Sequence, residues 1–557
     1  MNKHSRPAVR PPSWPGLVVG TLFFAFSLTP SLLPRSALMQ GVVSGVALAA
    51  GYGVGVLAHA VWRYLGLPAP GPPRVARAVK YAAAGVCALA AAFFLWKASE
   101  WQNSIRALMQ MEPTEGTQPL AVAFIAILLF GIVLAIARLF RLMSLGIERF
   151  LSHHVPPRVS LLVGVVAAAA VFWSVLDGVL FHVALRIIDG SFQQVDALVE
   201  PDEAPPQDPL RSGSAASVLE WEDLGRAGRR FVSSGPTRAD LEAFFGPRVH
   251  VETPIRVYVG LNAAETPAER SRLALEELER VGAFERSMLA IVTPTGTGWV
   301  DPGAIDTLEY LQRGDVASVV VQYSYLASAL ALLLEPELGS ETARTVFADI
   351  YGHWTRLRSD RRPALYLHGL SLGALLSDAS FDIYDVVGDV FQGALWSGPP
   401  FRSETWRAAT ERRDPGTPAW LPRFRDGKII RFTNQENRLE TPGGAWGPLR
   451  IAFLQYASDP ITFFEPSMLY REPEWMAHPR GPDVTPALRW IPIVTMLQVI
   501  ADMRAGDITP HGYGHNLAAE DYIDTWLALT GRQDWTDDDI RRLKAVFVHR
   551  ERAASGE

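Results

Sequence analysis

A serine hydroxyl becomes a useful nucleophile only when a base takes its proton and a third group orients that base. One stretch of this chain is shaped to present such a serine: Leu365-Tyr366-Leu367-His368-Gly369-Leu370-Ser371-Leu372-Gly373-Ala374. It reads as an apolar strand, then Gly-x-Ser-x-Gly, then small residues that can open a helix. A sharp strand-to-helix turn strains the serine backbone, and flanking glycines remove the bulk that would keep strand and helix apart. The first amides of such a helix face whatever forms on Ser371, so Leu372 is expected to give one N–H to an oxyanion.

Four histidines follow Ser371: His478, His511, His515 and His549. The loop Pro510-His511-Gly512-Tyr513-Gly514-His515-Asn516 is hinged on glycine, which lets an imidazole dip into a cleft. This favours His515 as the base and keeps His511 as the alternative. Asp459 comes just after the apolar run Ile451–Tyr456, in Ala457-Ser458-Asp459-Pro460. A carboxylate past a strand end points toward a site at that end, although Asp-Pro is also a common turn; Asp483 and Glu436 remain in reserve. The Gly-rich Thr293-Pro294-Thr295-Gly296-Thr297-Gly298-Trp299 could bring a second donor from the backbone of Gly296 or Thr297. It lacks the Gly-Lys-Ser/Thr ending of a phosphate loop. No metal is expected, since no His-Glu-x-x-His cluster occurs and Cys87 is the one cysteine. No cofactor is expected either.

These residues need a scaffold that brings them to one edge. Strand-like runs stand at Ile255–Val259, Met288–Val292, Val316–Gln322, Ala364–His368, Val390–Trp396, Ile429–Phe432 and Ile451–Tyr456. Helical patterns fall between several of them, at Ala268–Val281, Ala304–Gln312, Ser340–Leu357 and Asp521–Leu529. Such alternation predicts a mainly parallel sheet covered by helices, with ligands bound at the carboxyl ends of the strands. Ser371 follows one of those ends.

The first 190 residues are different. Apolar runs at about 14–33, 37–62, 78–96, 119–137 and 159–185 approach the roughly 20 residues that cross a bilayer as a helix. They predict a transmembrane bundle of about five spans. The first run breaks at Thr29-Pro30, so a cleaved signal peptide competes for it. Basic residues are lopsided: Lys3, Arg6, Arg10, Arg63, Arg74, Arg77, Lys80, Arg138, Arg141, Arg149 and Arg158 on one side, against Arg35, Lys97 and Arg106 on the other. The excess puts the amino terminus in the cytoplasm and, after five spans, the rest of the chain outside it. Asp177 and His182 fall near the outer end of the fifth run, where ionisable groups invite a functional reading. Gly41, Gly45, Gly51, Gly53 and Gly55 suit close helix packing.

Residues 196–216 turn polar and Pro-rich, as in Glu200-Pro201-Asp202-Glu203-Ala204-Pro205-Pro206, and suggest a tether. The division is then 1–195 helical, 196–216 linker and 217–557 catalytic, and a fragment from Ser217 is expected to fold alone. With 557 residues and 48% hydrophobic content the chain has room for at least two domains, and a net charge of −6 argues against nucleic acid as a partner.

Further stretches carry a resemblance: Ser27-Leu28-Thr29-Pro30-Ser31-Leu32-Leu33-Pro34-Arg35, Gly228-Arg229-Arg230-Phe231-Val232 with Gly235-Pro236-Thr237, Pro294 to Trp299, Gln322-Tyr323-Ser324-Tyr325-Leu326, Ser371-Leu372-Gly373, and Leu454-Gln455-Tyr456-Ala457-Ser458-Asp459-Pro460. Together they resemble a bacterial membrane-bound α/β-hydrolase family with an apolar amino-terminal domain. The resemblance implies an α/β-hydrolase-like catalytic domain with Ser371, Asp459 and His515 as its triad. Two positions depart. The family's Gly-His-Gly-His stands here as Gly512-Tyr513-Gly514-His515, and Leu370 replaces a more usual acidic residue. The expected activity is a membrane-anchored serine hydrolase acting through an acyl-enzyme on a lipid or cell-envelope ester. An acyltransferase with the same triad and a non-catalytic membrane scaffold or transport partner are the alternatives.

Overall fold

The computed structural model describes residues 12–68, 72–151 except 115 and 117, 204–326, 336–440, 444–505 and 509–555, with 156, 163, 166 and 167 singly. The chain divides into two compact units. One gathers Met1–Ile188, Glu465–Met476 and Pro482–Gly506; the other gathers Asp189–Phe464, Ala477–Gly481 and Asp507–Glu557.

In the helical unit, α1 is Trp14–Ser27, α2 Ala37–Tyr64, α3 Pro73–Leu108 and α4 Pro119–Leu151. Among the described residues three helices, α2, α3 and α4, are long and apolar enough to cross a membrane. The count of about five spans is therefore not supported. At 14 residues, α1 rises only about 21 Å, short of a hydrocarbon core of about 30 Å. The fifth run lies almost wholly outside the described residues, as do Asp177 and His182. Glycines on α2 allow close packing: a Cβ on Gly55 would stand 2.6 Å from the Pro15 oxygen, and one on Gly41 2.7 Å from Ile125 Cβ.

The corner between α1 and α2 is held by a buried acid. Asp502, at the end of the helix Val494–Asp502, accepts bonds from Arg35 Nε at 2.7 Å, the Leu32 amide at 3.1 Å and the Ser31 hydroxyl. Gln498 on the same helix donates to the Thr29 oxygen at 2.9 Å, and Gln40 donates to the Ser27 oxygen at 2.9 Å. Ser27 to Arg35 thus forms a buried turn in which Ser27, Thr29, Ser31, Leu32 and Arg35 are paired with Gln40, Gln498 and Asp502.

The second unit is built on one sheet of seven strands: β1 Ile255–Val259, β2 Met288–Thr293, β3 Val316–Val321, β4 Ala364–Leu370, β5 Gly393–Ser397, β6 Ile430–Thr433 and β7 Arg450–Leu454. Their order is β1-β3-β2-β4-β5-β7-β6, and every pairing is parallel. The Val- and Ile-rich runs are buried on both faces, as a parallel sheet with helices on each side requires. All seven expected strand runs form strands, with ends shifted by a few residues.

Local motifs explain their glycines. Arg256 on β1 is buried and meets Glu309 at 2.7 Å, Asp306 at 2.6 Å and the Phe231 oxygen at 2.7 Å. A side chain at Gly235 would strike that guanidinium at 2.2 Å. The stretch 204–216, whose composition suggested a tether, packs from Asp208 onward: Arg211 bridges to Arg256, and the Ser212 hydroxyl accepts the Tyr258 amide at 3.1 Å.

Candidate active site

β4 ends where Ser371 takes φ 56° and ψ −125°, and the helix Leu372–Asp378 starts at once. A non-glycine residue in that region costs about 1–3 kcal/mol and persists only where its surroundings impose it. Here they do. The Ser371 amide donates to the Ser397 oxygen at 3.0 Å, while the Ser371 oxygen accepts Ala374 N–H at 2.9 Å. A Cβ on Gly369 would lie 2.4 Å from the Gly373 carbonyl carbon, and one on Gly373 would lie 2.2 Å from the Thr293 oxygen. Both glycines are thus required for strand and helix to pass. His368, although three residues from Ser371, is a core residue. Its Nδ1 meets the Leu395 oxygen at 2.9 Å, its ring packs on Tyr522 and Trp526, and burial pushes its pKa down to about 4.

Asp459 is set by its own turn. Its amide donates to the Tyr456 oxygen at 3.0 Å, Oδ1 accepts the Ile461 amide at 2.8 Å, and Oδ2 accepts the Thr462 hydroxyl at 3.0 Å. Oδ2 also meets His515 Nδ1 at 2.7 Å, with both side chains buried. The loop that carries His515 is closed by Gly512 N–H to Asn516 O at 2.8 Å, Asn516 Nδ2 to Thr509 O at 2.8 Å and Thr509 Oγ1 to Tyr513 O at 2.7 Å. Gly512 and Gly514 sit at φ 89° and 60°, which favours glycine. The Gly514 amide donates to Ser458 Oγ at 2.9 Å, so the acid turn and the base loop are joined by adjacent residues on each side.

His511 faces elsewhere, its Nδ1 3.2 Å from the Leu517 oxygen and 3.7 Å from Glu551. Glu436 is exposed beside Arg438, and Asp483 belongs to the helical unit. Neither reserve acid is the carboxylate on His515.

β5 lies between β4 and β7, and its end links the serine to the histidine. Ser397 O binds the Ser371 amide, and Gly398 follows with φ 48°. A Cβ there would be 2.6 Å from His515 Cε1 and 3.2 Å from Asp459 Oδ2. The imidazole therefore rests on the backbone next to the residue that fixes Ser371. With its proton on Nδ1 toward Asp459, the ring presents the Nε2 lone pair as a base.

Leu372 carries the first amide of the helix Leu372–Asp378, which has no acceptor within that helix and is the donor expected for an oxyanion. The second loop leaves β2 beside the elbow, where Thr293 pairs with Gly369. Thr295 N–H donates to the Trp299 oxygen at 2.9 Å and Gly298 N–H to the Thr295 oxygen at 2.9 Å. Those amides close the turn, and the Gly296–Thr297 peptide forms its tip.

Sequence reasoning gave no role to Gly398, Tyr456, Ser458, Asp521 or the Asp301–Tyr522 pair. Tyr456 and Ser458 stood inside a quoted motif, and that was their only signal. A model of the alpha/beta-hydrolase family matches residues 255–543, and a model described as that family's N-terminus matches residues 28–236. No curated protein and no solved structure matches the chain.

Proposed function

The chain belongs to the alpha/beta-hydrolase family, and from that premise we propose that it is a membrane-anchored serine esterase. Ser371 attacks the ester carbonyl, and His515 Nε2 takes the hydroxyl proton. Asp459 holds the ring through Nδ1 and stabilises the imidazolium that forms. Leu372 N–H, with Gly296 or Thr297, receives the charge that develops on the carbonyl oxygen. His515 then returns the proton to the departing alcohol. Water, activated by the same ring, releases the acid and restores Ser371.

The observation that carries this reading is the 2.7 Å Asp459–His515 bond seated on Gly398, one residue from the oxygen that binds the Ser371 amide. The helices α2, α3 and α4 support a substrate held in or near a bilayer, a lipid or cell-envelope ester. The basic residues Arg63, Arg74, Arg77 and Lys80 around the start of α3 and Arg138, Arg141, Arg149 and Arg158 around the end of α4 share one side, against Lys97 and Arg106 toward the end of α3. With the run at 159–185 as a further span, this supports a catalytic unit outside the cytoplasm.

Reaction of the full-length protein with a fluorophosphonate tests the chemistry: the adduct should map to Ser371 and vanish in Ser371→Ala. Absence of label on a folded protein that also leaves p-nitrophenyl esters intact would sink the proposal. Reporter fusions at the carboxyl terminus test the sidedness, and a cytoplasmic signal there would overturn the envelope substrate.

A further inference from the structure

One helix without a nucleophile, base or oxyanion donor, Ala519–Thr530, bonds to the acid turn and to the segment that follows the Gly296–Thr297 turn, and it begins where the base loop ends. Its Asp521 accepts the hydroxyl proton of Tyr456, and the same Tyr456 oxygen accepts the Ala518 amide at 3.0 Å. Tyr456 ends the run that leads into the acid turn, and its carbonyl takes the Asp459 amide. One bond system thus joins the exit of the base loop to the entry of the acid turn.

The next residue on the helix does the reverse. Tyr522 donates its hydroxyl to Asp301 Oδ2 at 3.0 Å, while Asp301 Oδ1 accepts the Gly303 amide at 2.9 Å. Asp301 lies just past the turn that bears Gly296 and Thr297. One turn further, Trp526 Nε1 donates to the Ala304 oxygen at 2.9 Å. The helix therefore gives an acid to the tyrosine of the acid turn and a tyrosine to the acid of the oxyanion loop.

We propose that Tyr456–Asp521 and Tyr522–Asp301 are positioning pairs for the hydrolytic site. The first sets the base loop against the acid turn, and the second sets the height of the Gly296–Thr297 tip beside Ser371. The inference rests on Ser371 being the nucleophile. Its physical basis is cost: a buried hydroxyl–carboxyl pair is dearer than a Phe–Leu contact of the same shape, and a directional bond returns a fixed geometry that dispersion alone does not. Small displacements matter at such a site, since loops misplaced by about 1 Å can lose about a hundredfold in rate.

The test is the rate constant for fluorophosphonate labelling of the full-length protein, together with kcat and KM on a soluble p-nitrophenyl ester. The rate constant is read separately from the labelled fraction, because a partly unfolded sample lowers only the latter. Tyr522→Phe should lower kcat about tenfold with KM within about twofold, as expected for loss of one hydrogen bond felt in the transition state. Asp301→Ala removes the same bond from the other side and should lose a like factor. Asp301→Asn, whose amide can donate to the Tyr522 hydroxyl, should remain within about threefold of the wild type. Tyr456→Phe should slow labelling about tenfold and move the acid limb of the rate profile to lower pH, because a loosened Asp459 stabilises the His515 imidazolium less. Rate constants within about twofold of the wild type in both Phe variants, with the acid limb unmoved, would overturn the positioning role. So would a loss from Tyr522→Phe that Asp301→Ala fails to share. If the wild type carries no label on Ser371, it is the nucleophile assignment that fails.

Discussion

Two buried carboxylates, one in each unit, hold a nitrogen at the same 2.7 Å and do different things with it. Asp502 meets Arg35, and a guanidinium is a planar, fixed donor fork. Its other bonds come from Ser31 and Leu32 on the same corner. The pair is saturated and permanent, so its effect is to fasten. Asp459 meets His515, and an imidazole, unlike a guanidinium, can exist with or without its second proton. Its other bonds come from Ile461 and Thr462 in its own turn, which hold the carboxylate in place beside the ring. Equal geometry thus yields a structural lock in one unit and, in the function proposed above, a proton-transfer site in the other, and the partner's chemistry decides which.

The largest effects should break the second pair and leave the fold standing. Ser371→Ala should abolish ester hydrolysis. His515→Ala and Asp459→Ala should each cost on the order of 10³-fold or more, since triad members act as a unit. Circular dichroism and melting temperature should change little. An Asp459→Ala enzyme within tenfold of the wild type would erase the contrast.

The first pair should behave the opposite way. Arg35→Ala or Asp502→Ala leaves a buried charge without its counterion and should cost about 3–5 kcal/mol of stability. The labelling rate constant of the protein that stays folded should hold within about threefold. Replacing both partners at once, as Arg35→Met with Asp502→Leu, should recover much of the loss, because two apolar groups need no counterion. A fragment starting at Ser217 keeps Asp502 and Gln498 but lacks Ser31, Leu32 and Arg35. Its helix Val494–Asp502 would have no partner for those side chains, so denaturation of the fragment should begin there, at lower denaturant than in the whole chain.

What the sequence revealed follows the range of each interaction. β3, Val316–Val321, is a run of small and branched apolar residues, and its pattern is local. So is the elbow, where the Gly-x-Ser-x-Gly spacing reports a backbone constraint on five residues. Gly512 and Gly514 marked the His515 loop for the same reason. Asp502 was invisible because Arg35 is 467 residues away in the chain. Tyr456 and Asp521 are 65 apart, and the motif around Tyr456 does not point to its partner. The span count finds no support at α1, where the break at Thr29-Pro30 that the sequence shows leaves a helix of only 14 residues.

A smaller effect depends on pH. Burial raises the Asp521 carboxyl from an ordinary 3.8 to about 7 and Asp301 to about 6. Around Asp521 stand Tyr456, Glu520, Asp524 and Lys544, of which the two acids push the same way and Lys544 opposes. The folded state prefers the protonated form, so the stability this gives is full below about pH 4 and is lost as pH rises through about 7. The gap for Asp521 sets a ceiling of about 4 kcal/mol. Melting temperature should therefore fall between about pH 4 and about pH 7, and Asp521→Asn should flatten that fall. A slope that survives both Asp521→Asn and Asp301→Asn would assign it to other groups.

The smallest effect is the sharpest test of which histidine is the base. His511 and His515 share one short loop, so a change at either could act merely by disturbing the loop. The structure separates their surroundings. His515 is buried on Asp459, whereas His511 is half exposed, touches the Leu517 oxygen at 3.2 Å and lies 3.7 Å from Glu551. An exposed pair of that kind contributes little, and the bonds that close the loop run through Gly512, Asn516, Thr509 and Tyr513 instead. His511→Ala should thus keep kcat/KM within about threefold of the wild type, with its pH profile unchanged. His515→Ala in the same preparation should be nearly inert. If both variants were equally dead, the loss would report the loop and not the base. If His511→Ala alone were dead, Asp459–His515 would be a second structural lock like Arg35–Asp502, and the contrast between the units would disappear.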